Sequence, residues 1–381
     1  MRRAYRYCQS CRRGQAGFDR WAGLQTDSLT PCGRRMAVRA GSKMSFDAAS
    51  ELLRELCGLR ISDQTIRRAC DAVGRRAKTY LEQDPRATRA VAAAPGEREC
   101  SMDGAKVNTT EGWREIRAVV MSCREAGERK GVRHWRDRHL PAPSARVVWA
   151  GIADSQAVGR QVDSLARRLG WKRGEQVSVL GDGIPWLWAE ADKHLPDHEG
   201  CLDIWHMMEH LHAAGRALHT EGEAARRWAE CQRALIFRHG ARVYLKDHLL
   251  PRVRASRRGE AECESARDGV DESGGHPGDT SGDTSGGTSG GTSGGGGERA
   301  RALRALWVYL WRHRGRMPYR DRLRRGLSIG SGQVEGVCKN TLNTRLRKNS
   351  PRWRPERADH MAALCCLHTS GQWEQFWSAA A

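Results

Sequence analysis

The sequence predicts an α/β fold built on a mixed sheet, and three observations carry that expectation. Apolar residues alternate with polar ones from about Glu99 onward, in SMDGAKV, WREIRAVVMSC and ARVVWAGIAD, and again in QVSVLGDG and CLDIWH. A helical stretch from Gln156 to Gly170 separates the third of these strands from the fourth. After Trp205 nearly everything has the period of helices. Three strands in quick succession, a helix and two further strands fit helices layered on one sheet.

Taken in order, the first segment, 1–40, holds Cys8 and Cys11 in YCQSC at the spacing of half a zinc knuckle, with Cys32 following. A structural zinc ion takes four ligands, commonly from two such pairs, and only one pair is present, which leaves Zn2+ in doubt. The second segment, 41–95, opens with two amphipathic helices between Ser45 and Ala77. Ala48, Leu52, Leu53 and Leu56 line the first, and Ile66, Ala69, Cys70 and Val73 the second. Gly58 can end the one and Ser62 can cap the other, leaving Gln64, Thr65, Arg67 and Arg68 on an exposed face. That is the pattern of a DNA-binding helix-turn-helix, although any short helical hairpin shares it.

The strand-rich core begins at 96 and runs to 215. A helical insertion follows over 216–325. It contains the run GDTSGDTSGGTSGGTSGGGG from Gly278 to Gly297, which has no apolar residue and, with its flanks over about 255–298, reads as a flexible linker. Residues 326–381 supply a glutamate-bearing helix and the C-terminal helices.

The 381 residues include 65 Lys and Arg against 45 Asp and Glu, a formal net charge of +20. This excess is spread along the chain, and it favours a polyanionic partner through phosphate contacts and counterion release, nucleic acid first among them. The 13 cysteines, an odd number, sit mostly alone in apolar stretches and do not read as a disulfide framework. No apolar run approaches the ~20 residues that span a bilayer. The opening MRRAYRYCQSC lacks the apolar centre of a secretory signal. A cytoplasmic, nucleoid-associated protein with no membrane partner is expected.

Three acids carry the chemistry. Asp103 closes the short strand SMD ahead of Gly104, where its carboxylate can project from the sheet edge with backbone close by. Asp182 repeats the arrangement in VLGDGIPW. Two such carboxylates suit Mg2+, which takes one or two of them together with waters and phosphate oxygens, whereas a lone Asp-Gly more often marks a turn. Glu335 lies in LSIGSGQVEGVCKNTLNTRLRK, where Gly330-Ser331-Gly332 can form a turn and N-cap, after which Glu335, Cys338, Leu342 and Leu346 fall near one helical face. Lys339, Arg345, Arg347 and Lys348 follow and can hold phosphate backbone beside metal ions. The plainer alternative is a solvated helix with a Glu335–Lys339 pair. Trp186, Trp188 and Trp205 read as core, with base stacking the rarer use.

The stretches SFDAASELLRELCGLRISDQTIRRACDAVG, SMDGAKV, GDGIPWLWAEADKHLP, LDIWHMMEHL, RMPYRDRLRRGLSIGSGQVEGVCKNTLNTRL and WEQFW resemble those of the Kra-type insertion-sequence transposases, bacterial members of the DDE group. The match runs from near Cys8 to Trp377, interrupted by the Gly/Thr/Ser run, and is most specific in GSGQVEG with its following CK and RL, in DGIPW and in LDIWH. The resemblance implies a ribonuclease H-like core and a catalytic triad on Asp103, Asp182 and Glu335. It also implies two Mg2+ (or Mn2+) ions held by those acids, which activate water or a 3′-hydroxyl for in-line displacement at phosphorus. Implied partners are DNA, both terminal inverted repeats and target, and further copies of the chain for synapsis. Asp203 and His206 fall in a segment with counterparts in related transposases, which suggests a secondary role near the metal cleft, structural packing being the default. Family members often carry a knuckle ahead of this one, so the chain is expected to begin after its first half.

The expected activity is metal-dependent cleavage of transposon ends and strand transfer to target DNA. One rival is a regulator acting through the helix-turn-helix alone, which would need neither three acids nor a long basic C-terminal half. The other is a decayed transposase, to which the half knuckle and the repeat insert point.

Overall fold

Two strands, β1 (Arg6–Cys8) and β2 (Arg13–Gln15), form a small antiparallel ribbon, and five others form the sheet that organises the molecule. In chain order these are β3 (Glu97–Thr109), β4 (Gly112–Arg124), β5 (Ala145–Ile152), β6 (Val177–Gly181) and β7 (Glu199–Leu202). Their spatial order is β5-β4-β3-β6-β7. The first three chain-order strands pair antiparallel, and β6 and β7 extend the sheet parallel to β3. The expected mixed α/β architecture is present. The computed structural model describes residues 5–15, 17–21, 24, 29–171, 174, 176–256, 258, 295–348 and 351–378.

Side-chain alternation decides what covers each face of the sheet. Cys100 and Met102 of β3 and Val119, Met121 and Cys123 of β4 share one apolar core. That core is closed by α6 (Ser155–Arg168) and α7 (Pro185–His194), which contribute Val158, Val162, Leu165 and Leu187. The odd-numbered residues of β3 point the other way, so Ala105 and Val107 join Ile116, Ala118 and Val120 in a second core. The helix Pro355–Thr369 covers this second face.

Above that helix sits a unit of three helices, α2 (Pro31–Gly41), α3 (Phe46–Cys57) and α4 (Asp63–Gln83), with the short α1 (Gly17–Trp21) before them in the chain and α5 (Arg86–Ala93) after. Their boundaries follow the expected signals. The Ser45 and Ser62 side chains accept from the Ala48 and Thr65 amides at 3.3 and 3.2 Å, and Gly58 ends α3 at φ 64°. The long α4 packs closely on the helix Pro355–Thr369 at Gly74. A Cβ there would stand 2.5 Å from the His360 carbonyl oxygen.

A third core holds the insertion. It combines α8 (Ile204–Leu218), α9 (Gly222–His239), the π-helical turns Tyr244–Leu249 and the helices Gly295–Arg312 and Tyr319–Arg325 around Met207, Leu211, Phe237, Tyr244 and Leu310. The sequence-predicted linker over 255–298 lies mostly outside the described residues. Its tail does not belong to a linker: Gly295–Glu298 already form the first turn of a helix. Among the described residues no helix is long and apolar enough to cross a membrane.

Candidate active site

The three acids are brought to one side of the sheet by register and by one helix. β3 and β6 pair in parallel up to Ser101↔Leu180, and two residues further along each strand stand Asp103 and Asp182. Residues paired across parallel strands share a face, so both carboxylates leave the sheet at one level on the same side. Asp103 does not end its strand, as the sequence suggested. β3 continues to Thr109, paired with β4 throughout, and Asp103 sits where β6 has turned away. An edge opened in mid-strand replaces the expected turn.

Each aspartate is fixed at one oxygen by its own backbone. Asp103 Oδ1 accepts from the Gly104 amide at 2.7 Å, and Asp182 Oδ1 accepts from the Ile184 amide at 3.0 Å. Burial raises both carboxyls above their ordinary values despite these hydrogen bonds. The Glu335 charge adds to that rise at Asp103, and the Asp103 and Asp203 charges add to it at Asp182.

Glu335 lies on the short helix Gly332–Gly336, which continues as π-helical turns over Val337–Arg347. Cys338, three residues on, lies near the strand: its thiol favours the ionised Asp103 carboxylate, and burial and that carboxylate push the thiol up. Glu335 also pairs with Lys339, so the modest ion pair weighed in the sequence is present beside the acids. Asp103, Asp182 and Glu335 are hard oxygen donors of like charge, the type that Mg2+ takes, and the two aspartates are partly desolvated. Among the described residues no three or more His, Cys, Asp or Glu side chains are grouped so as to hold a metal ion.

Asp203 is packed into the structure, the default expected for its segment. It is fully buried, and Oδ1 accepts the Trp205 and His206 amides at 2.7 and 3.0 Å. Its Oδ2 accepts both the Ser331 amide and, at 2.9 Å, the Ser331 hydroxyl. Ser331 occupies the N-cap position of the Glu335 helix, yet its side chain makes no cap and is spent on Asp203. Burial pushes the Asp203 carboxyl up, but these donors and His206 together hold it below its ordinary value. In return Asp203, 3.4 Å away, lifts His206 to about 9. His206 faces the acids electrostatically: its charge lowers both Asp103 and Asp182.

A buried polar network, not legible in the sequence, supports the same loop from beneath. Glu99, on the Asp103 face of β3, accepts from Arg124 at 3.1 Å, from Gln333 at 2.7 Å and from the Ser328 hydroxyl. Arg322, with no exposed surface, donates to the Ser328 carbonyl at 2.6 Å, to Glu199 at 2.8 Å and to Ser178 at 3.0 Å. Removing one partner from so buried a pair costs about 3–5 kcal/mol. The loop carrying Glu335 is thereby fixed to β3, β6 and β7.

The remaining candidates separate. Gln64 and Arg68 are exposed on α4, Thr65 and Arg67 are half-buried, and Arg67 bonds Gln64 at 3.1 Å. Lys339, Arg347 and Lys348 are exposed along the π-helical segment. Arg345 is not: it is 7% exposed, its Nε donates to the Gly41 carbonyl at 2.7 Å, and its guanidinium lies over Phe46 and Trp353. Spacing alone put it on the surface, and the tighter fit of α2 and α3 against this segment buries it. Trp188 is core, Trp186 lies half-buried under Arg117, and Trp205 is half exposed beside Trp135. Cys8 and Cys11 sit exposed at the β1–β2 turn, and hydrogen bonds from Cys11 lower Cys8 to about 7. Two thiols supply half of a tetrahedral set. Compared with protein-family models and with curated proteins, the chain matches none.

Proposed function

We propose that the chain is a DDE-type DNA transposase of an insertion sequence, which cleaves transposon ends and joins them to target DNA. One observation carries this reading: Asp103 and Asp182 stand at matching positions on one face of adjacent parallel strands, with Glu335 close enough for its charge to raise Asp103. The strand order, three antiparallel strands followed by two parallel ones, supports a ribonuclease H-like core interrupted by a helical insertion. The caps of α3 and α4 and the exposed Gln64 and Arg68 support a helix-turn-helix that reads DNA.

Asp103, Asp182 and Glu335 would hold two Mg2+ or Mn2+ ions, which supply a low-pKa oxygen nucleophile and charge balance at phosphorus. The rest falls to the chain's own residues. The Gly104 and Ile184 amides orient the two aspartates, and the Asp203–Ser331 lock sets the position of Glu335. Lys339 beside Glu335, and Arg347 and Lys348 further along the same segment, provide phosphate contacts. The net charge of +20 favours capture of DNA before any chemistry.

The test incubates the protein with Mg2+ and a labelled duplex carrying the element's ends, beside Asp182→Asn. Nicking by the wild type, slowed at least about 10²-fold in the variant, is expected for loss of one transition-state charge contact. Equal cleavage by both proteins overturns the assignment. Tight binding with no cleavage by either would favour the regulator or the decayed enzyme.

A further inference from the structure

A cavity of about 780 Å3 lies apart from the acids, between the α2–α4 unit and the end of the π-helical segment. Seven Lys and Arg side chains line it against three Asp. Asp71, one of the three, is already committed to His360 at 2.6 Å. Lys43 and the first turn of α3 form one wall, Arg67 of α4 another, and Arg345 and Lys348 a third. The charge balance favours an anion.

Arg345 makes the argument specific. Its guanidinium is held in place by the Gly41 carbonyl and by two aromatic faces, at 4.6 Å from the Phe46 centroid and 5.1 Å from Trp353. Its Nη2 is buried and has no hydrogen-bond partner. A guanidinium presents five N–H donors, and a buried charge left partly unpaired is costly unless an acceptor completes it. A phosphodiester has the paired oxygens that this planar fork matches.

The approach to the cavity starts at the acids. Val337–Arg347 is wound in π-helical turns, and Lys339, Asn340, Thr344, Arg347 and Lys348 stay exposed along one side of it. Glu335 lies just ahead of this segment and Arg345 is buried beneath its far end, an axial separation of roughly 12–15 Å at a helical rise of at most about 1.5 Å per residue. That distance corresponds to about two to four nucleotides, taking ~3.4 Å per stacked nucleotide and roughly twice that when extended.

We propose that this cavity binds one phosphodiester of a single DNA strand, two to four nucleotides from the bond held at Asp103, Asp182 and Glu335. The site rests on the reading of those acids as the cleavage centre. It extends that reading to a second foothold, which holds the strand after it leaves the duplex.

The test measures equilibrium binding of the full chain, without divalent metal, to a labelled duplex carrying single-stranded extensions of zero to five nucleotides. Affinity should rise about tenfold once the extension reaches about three nucleotides. Lys348→Gln and Arg345→Met should abolish that rise and flatten the salt dependence by about one phosphate contact each. Lys348 is exposed, so its variant keeps the test valid should Arg345→Met fail to fold. Arg167→Gln, at a side chain 73% exposed on α6, should leave the rise intact. A flat extension series, an equal loss in Arg167→Gln, or full displacement by millimolar inorganic phosphate would overturn the strand site. A flat series with normal duplex binding sinks this site alone, whereas no DNA binding at all sinks the enzyme reading as well.

Discussion

Asp182 and Asp203 occupy equivalent places at the ends of β6 and β7, neighbouring parallel strands each followed by a helix, yet they have opposite physical characters. Asp203 has no exposed surface and accepts from Trp205, His206 and twice from Ser331. Asp182 is less buried and accepts one backbone amide, from Ile184. Burial raises the Asp182 carboxyl, whereas the donors around Asp203 overcome its burial and lower it. A saturated carboxylate is a structural pin. A carboxylate fixed at one oxygen and short of donors keeps capacity for a cation.

The largest expected effect breaks the pin. Asp203→Ala strands four donors in the interior, and chemical denaturation should show about 3–5 kcal/mol less stability. Asp182→Asn should change stability by no more than about 0.5 kcal/mol while removing cleavage. Equal destabilisation by the two variants would erase the contrast.

A smaller effect sharpens it. Ser331→Ala removes one of the donors to Asp203 and should cost about 1 kcal/mol. It should also slow cleavage by about tenfold, because the loop carrying Glu335 loses a fixed point, and unchanged DNA binding would separate that effect from unfolding.

The smallest effect is pH-dependent. His206 is raised to about 9 by Asp203, so its folded value lies above its unfolded one near 6.5. Its contribution is therefore complete below about pH 6.5 and is lost as pH rises through 9. The thermal midpoint of the wild type should decline across that window, and His206→Gln should flatten the decline. An identical slope in both proteins would leave the Asp203–His206 pair without energetic weight.

Much of this was legible in the chain. Short apolar, β-branched runs bounded by Gly and Asp located all five strands of the sheet, because a strand covered on both faces is apolar along most of its length. Ser45, Gly58 and Ser62 marked their helix ends by local chemistry that needs no distant partner. What escaped depends on residues far apart in sequence. Asp103 looked terminal because Asp-Gly imitates a turn, while its true setting is set by where β6 departs. Ser331 looked like a cap, but Asp203 claims it across 128 positions. Arg345 looked exposed until Gly41, Phe46 and Trp353 closed over it. Glu99 and Arg322 gave no local sign, since the partners that justify burying them lie on other elements.

The contact at Gly74 sets how near two helices can stand. There α4 meets the helix Pro355–Thr369 with no room for a side chain, since a Cβ would lie 2.5 Å from the His360 carbonyl oxygen. The helix Pro355–Thr369 in turn lies on the sheet that bears Asp103. A methyl group at position 74 would therefore have to push that helix away from α4, and the displacement would fall on the layer packed against the sheet.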